Sequence, residues 1–179
     1  GRRMSFFQHI ETRNELADFL GIPRKKLTHL LYVQRIENCY HMFEVPKRAG
    51  GTRVICAPTG DLKSLQRSLA RRLQEHCLRC REERGLSVNI AHAFQPRRGI
   101  ITNAYIHRNK RYVFNTDLED FFGSIHFGRI RGYFQKNEHF QMPAEVATIL
   151  AQLCCYQGKL PQGAPTSPVL SNLICEILD

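Results

Sequence analysis

The sequence has no apolar run near the roughly 20 residues that cross a bilayer, so a membrane-spanning helix is excluded. Gly1-Arg2-Arg3-Met4-Ser5 leads into no signal-peptide core. Low-complexity tracts and internal repeats are missing too, which excludes a disordered tail and a solenoid. Acidic residues are scarce beside basic ones: 16 Asp and Glu face 26 Lys and Arg, a formal charge of +10. An acidic partner is therefore expected. Polyanions release counterions when they bind such a surface, so nucleic acid leads and an anionic membrane surface follows.

Cysteine is not scarce, but a pattern that would use it is. Seven is an odd number without a secretory signal, which points to a reducing compartment. Cys77-Leu78-Arg79-Cys80 has a metal-like spacing. No second CxxC or CxxH pair completes a tetrahedral zinc site, so buried free thiols are expected.

What is present reads as one substantial α+β chain of 179 residues. Thr12-Arg13-Asn14-Glu15 is a capping box, Leu16, Phe19 and Leu20 share a helical face, and Gly21 stops the helix. A second helix follows Pro23, with Leu27, Leu30 and Leu31 in register. Tyr40 to Pro46 and Thr52 to Ala57 predict a hairpin whose tip, Lys47-Arg48-Ala49-Gly50-Gly51, is basic and glycine-rich. Leu62, Leu65, Leu69 and Leu73 mark a long helix from Asp61 to about Arg84. Tyr112 to Asp117 alternates like a strand; Phe127 to Phe134, Ala144 to Cys155 and Val169 to Asp179 read as helices. Gln157 to Ser167 reads as a stiff Gly/Pro loop, opening a helix near Ser167-Pro168.

Three features can carry chemistry. Asp117 ends an apolar strand, where a carboxylate can hold a metal; by itself, an Asp in that position is most often a turn former or helix cap. Lys47, Arg48 and Arg53 can face a triphosphate while Gly50 and Gly51 admit close backbone approach. Gln162, in Leu160-Pro161-Gln162-Gly163-Ala164-Pro165-Thr166-Ser167-Pro168, offers a donor and an acceptor from a constrained loop.

In this order, these segments resemble the reverse transcriptase family, above all the bacterial retron type, with group II intron enzymes as relatives. Phe43 to Pro58 is similar to the first conserved fingers block and Ala91-His92-Ala93-Phe94 with Gly99-Ile100 to the second. Asp117 to Phe122 resembles motif A, and Leu160 to Asn172 resembles motif B. Asn103-Ala104-Tyr105-Ile106-His107 resembles the retron element.

The resemblance implies a right-hand polymerase. It divides the chain into an N-terminal helical extension (1–37), fingers with the basic hairpin and long helix (38–111), palm with motif A (112–125), fingers helices (126–158) and palm with motif B (159–179). It implies Asp117 as a catalytic metal ligand, with the Leu118 carbonyl as a further one. It makes Phe122 the steric gate on the sugar, Lys47 and Arg53 the phosphate contacts, and Gln162 the contact to nucleotide and template. Asn103 and His107 are signature positions, RNA-binding or structural.

The implied activity is RNA-directed DNA synthesis with magnesium, or manganese in its place. The implied partners are a structured noncoding RNA template, an RNA–DNA hybrid and deoxynucleoside triphosphates, and the implied setting is the bacterial cytoplasm and antiphage defence. The family's aromatic-x-Asp-Asp hairpin has no counterpart, for no Asp-Asp pair occurs. The chain is therefore expected to be truncated before that hairpin and the thumb, inactive alone, and prone to form a homodimer through an exposed palm edge. The rival expectations are a non-catalytic RNA-binding platform and a template-independent defence polymerase.

Overall fold

The computed structural model of the chain describes residues 6–83 and 118–176. The Tyr112 to Asp117 strand expectation, the second fingers block, Asn103 and His107 lie outside those residues, as does Asp117 itself.

Helix α1 (Arg13–Leu20) begins as its sequence dictates: Thr12 Oγ1 accepts from the Glu15 amide at 3.1 Å. The reciprocal half of the box differs, since the Thr12 hydroxyl donates to the Glu15 carboxylate at 3.2 Å. Gly21 ends the helix in the left-handed conformation, φ 73°, where a side chain would be strained. Helix α2 (Arg24–His29) runs into a π-helical turn at Leu30–Gln34, and Leu27, Leu30 and Leu31 are buried together.

Strands β1 (Tyr40–Pro46) and β2 (Thr52–Pro58) pair antiparallel, with Val45 opposite Arg53 and Phe43 opposite Ile55. Helix α3 (Gly60–Glu83) follows directly and buries Leu62, Leu65, Leu69 and Leu73, the stripe expected from their spacing. The described residues are otherwise helical: α4 (Leu118–Gly123), α5 (Phe127–Lys136), α6 (Ala144–Cys154) and α7 (Thr166–Glu176).

Helix α6 is the centre of the core. Val146, Ala147, Ile149, Leu150, Ala151, Leu153 and Cys154 are all buried, an apolar face of more than half its circumference, with Glu145 and Gln152 on the exposed side. It packs against α5 on one side and touches α1 and α3 on others. Its C-terminal end is tied to α3 by Gln66. That wholly buried amide donates to the Leu153 carbonyl at 2.8 Å and to the Tyr40 hydroxyl at 3.0 Å. An end-of-helix carbonyl without an internal partner is thus satisfied from a neighbouring helix.

Two elements depart from expectation. Helix α4 was not anticipated, because six residues give too short a stretch to show a period. Helix α7 begins at Thr166, three residues before Val169 and one before the Ser167-Pro168 opening that the loop predicts. Pro168 needs no amide partner in a first turn, and the Ser167 hydroxyl donates to the Pro161 carbonyl at 2.6 Å, folding the loop back onto the helix start.

Candidate functional site

A two-stranded hairpin is marginal alone, and Met42, Phe43 and Val54 leave much of this one exposed. What fixes it is the loop between α6 and α7. The Cys56 amide donates to the Gln162 carbonyl at 2.7 Å. The next residue, Gly163, has φ 122°, and a Cβ there would lie 2.6 Å from Ile55 Cγ2 and 2.7 Å from the Cys56 carbonyl oxygen. Only glycine allows this approach. Two segments far apart in sequence, the basic hairpin and the proline loop, therefore meet backbone to backbone.

The loop is held on its other side by the junction after α4. Leu160 donates its amide to Ile125 at 3.2 Å, and Phe127 donates to Gly158 at 2.8 Å. Tyr156 and Lys159 close a tight turn on each other, with Gln157 and Gly158 both at positive φ, the backbone pattern of a type I′ turn. Helix α4 ends at the same place: the Ser124 hydroxyl donates to the Phe121 carbonyl at 2.6 Å, and Ile125 is fully buried. The loop is thus clamped between the hairpin and the segment that follows Asp117.

The predicted side chains fall as follows. Arg53 is half-buried on β2 and shares a hairpin face with Val45 and Ile55. Lys47 is half-buried where β1 ends, its amide donating to Gly51 at 2.9 Å across the tip. Gln162 is half-buried, and its Oε1 is enclosed without a hydrogen-bond partner among the described residues. Phe122 is 4% exposed, its ring 6.0 Å from that of Phe121. Leu118 opens α4. Asp117, Asn103 and His107 lie outside the described residues.

Sequence reasoning missed the layer beneath. Thr166, Ser167, Ser171 and Asn172 line the buried start of α7 with polar groups. Cys154 and Cys155 lie next to it. Burial pushes the Cys154 thiol well above its ordinary range, with the Cys155 thiol adding to this and Thr166 opposing it. Burial likewise pushes Cys155 up to about 12. The Tyr40 phenol is raised by burial, against the opposing hydrogen bond from Gln66. These groups stay neutral and hold shape. All seven cysteines are free thiols, as expected from the odd count.

Residues 45–179 match the family described as Reverse transcriptase (RNA-dependent DNA polymerase). The chain is 32% identical to the Retron Ec86 reverse transcriptase of Escherichia coli, over 93% of this chain and 49% of that protein. It is 34% identical to the Retron Mx65 reverse transcriptase of Myxococcus xanthus, over 94% of this chain and 42% of that protein. It is 29% identical to the Retron Mx162 reverse transcriptase of the same organism, over 99% of this chain and 38% of that protein. The chain spans about two-fifths to half the length of these relatives.

Proposed function

Since this chain belongs to the reverse transcriptase family and its similarity is to retron enzymes, we propose that it provides the fingers and the front of the palm in RNA-directed DNA synthesis. The observation that carries this reading is the clamp on Gln162 and Gly163. It joins the basic hairpin, the proline loop and the segment after Asp117 through backbone contacts. Those are the three features that can hold a nucleotide.

In this reading a primer hydroxyl attacks the α-phosphate of a deoxynucleoside triphosphate and pyrophosphate leaves. Little covalent work falls to the protein; it positions the reactants and stabilises charge. Arg53 and Lys47 neutralise the triphosphate from the hairpin, a task for which two cations on a short pinned ribbon are suited. Gln162 offers its amide to the base or the template strand, and its enclosed Oε1 is an acceptor awaiting a donor. Phe122, fixed among core residues, sets a rigid wall for the sugar. A 2′-hydroxyl pressed on such a wall is rejected by sterics.

Asp117 and the Leu118 carbonyl would hold magnesium. Their oxygens are the hard donors that ion prefers. When bound, the ion supplies charge neutralisation at the phosphates. Asn103 and His107 are assigned to holding the RNA or the fold around it.

The test is incorporation of deoxynucleotides on a primed RNA by the whole enzyme with magnesium. Asp117→Asn is expected to abolish it, and Arg53→Ala to raise KM for nucleotide about tenfold or more, the loss of one charged phosphate contact. Full activity in the Asp117→Asn enzyme would end this reading. The 179 residues contain no Asp-Asp pair, so the polypeptide by itself is expected to incorporate nothing.

The charge of +10 favours one second reading, an RNA-binding platform without catalysis. It is separated by the same assay: RNA binding that persists without magnesium, together with no incorporation by the whole enzyme, would favour the platform.

A further inference from the structure

The Cys77-x-x-Cys80 spacing found no partner in the sequence, and the fold supplies one from elsewhere. His76 and Cys80 are four residues apart on α3 and so lie on one face. Cys80 Sγ is 3.5 Å from His76 Nε2. His139, in the turn between α5 and α6, completes a trio whose ligand atoms all lie within 4.8 Å of one another. Among the described residues this is the one group of three or more His, Cys, Asp or Glu side chains so arranged. It shares no residue with the hairpin, the proline loop or α4. At 1.5 Å per residue, Cys80 sits about 20 Å along α3 from Gln66.

We propose that His76, Cys80 and His139 bind a zinc ion. A tetrahedral zinc with ordinary Zn–S and Zn–N lengths puts its sulfur and nitrogen ligands about 3.6 Å apart, close to the observed Cys80–His76 separation. Bringing the His139 ring to the same spacing takes a shift of about 1 Å from the 4.8 Å limit. One thiolate and two imidazoles are the donors of a borderline-soft cation and not of magnesium.

The surroundings favour the neutral ligands that a metal requires. His76 is 7% exposed, with the Phe140 ring 4.8 Å away and the Phe7 ring 5.9 Å away. The turn that carries His139 is built before any ligand arrives. Asn137 Oδ1 accepts from the His139 amide at 2.9 Å, the Asn137 carbonyl accepts from Phe140 at 3.0 Å, and Met142 donates to Phe134 at 2.9 Å. Glu138 Oε1 lies 3.4 Å from His139 Nε2.

Binding would release the Cys80 thiol proton and leave a fourth coordination position to water. The ion would cross-brace the far end of α3 to the α5–α6 turn, fixing the end of the fingers helix opposite the hairpin. Its role is thus structural and independent of nucleotide chemistry.

The experiment is titration of the chelator-stripped chain with cobalt and then zinc, followed by absorption and calorimetry. One cobalt per chain is expected, with a thiolate-to-metal charge-transfer band that zinc displaces and millimolar magnesium does not. Cys80→Ser and His139→Gln should each weaken binding at least about 100-fold. His76→Phe keeps the ring packing and should abolish binding with an unchanged circular dichroism spectrum. Cys77→Ser should leave the site intact. Substoichiometric binding, a band that survives Cys80→Ser, or a band lost in Cys77→Ser would each overturn the proposal.

Discussion

A methyl group added at Gly163 has nowhere to go, because Ile55 Cγ2 and the Cys56 carbonyl already occupy its place. Its φ of 122° adds strain for any L side chain. Gly163→Ala is expected to destabilise the chain by about 2–4 kcal/mol, from overpacking plus backbone strain. Urea unfolding measures it, and Ile55→Ala in the same chain should restore only part of the loss, since the carbonyl remains. A cost under about 0.5 kcal/mol would mean that the loop does not dock as described. Gly163 sits in a Pro-Gln-Gly-Ala-Pro run that marks a stiff loop, but nothing in that run says what the loop presses on. The contact is backbone to backbone, and backbone contacts leave no mark in side-chain patterning.

Elements in this molecule are joined by a few buried polar groups as much as by apolar faces. Gln66 is the clearest, since it joins α3, α6 and β1 at one amide. Gln66→Ala removes the donor and strands the Leu153 carbonyl and the Tyr40 hydroxyl, so a loss of about 2–4 kcal/mol is expected. Tyr40→Phe deletes a single bond and should cost about 1 kcal/mol. The two substitutions share a partner, so their costs should not add; a double-mutant cycle checks the coupling. The leucine stripe of α3, the hairpin register and the start of α1 were legible because period and capping chemistry are local. The short α4 was not, and Gln66 read merely as one polar residue among others, because its partners lie 26 and 87 residues away.

At the scale of the whole chain, charge and pH give two further expectations. With +10, binding to a structured RNA should weaken steeply with salt. Five to seven phosphate contacts would give a slope of roughly −4 to −6 in log affinity against log salt. A fluorescence anisotropy titration over a range of salt measures it, and a slope near zero would remove nucleic acid as the partner of the basic surface.

The buried thiols set the alkaline limit. Cys155 is held up to about 12 and Cys154 is raised further, whereas an ordinary thiol ionises near 9. The unfolded chain therefore loses these protons first. Their contribution is complete below pH about 9 and is lost as pH rises through the folded values. Denaturation midpoints should fall above pH about 9, and less so in Cys155→Ala. Alkylation of the native chain at pH 8 should spare Cys154 and Cys155.

The sequence by itself determined the family, the order of the motifs and most helix and strand positions. Those depend on residue type and spacing along the chain, which sequence displays directly. It also determined that one carboxylate, Asp117, is present without an Asp-Asp pair. Tertiary structure decided the rest: that the Gln162 loop closes on the hairpin at Cys56, that Gln66 caps a helix far from it in sequence, and that Cys80 finds two histidines where its own CxxC motif offered none. Apart from the His76–Cys80 pair, which is local to α3, each of those is a long-range contact between segments far apart in the chain. No spacing along the chain records it.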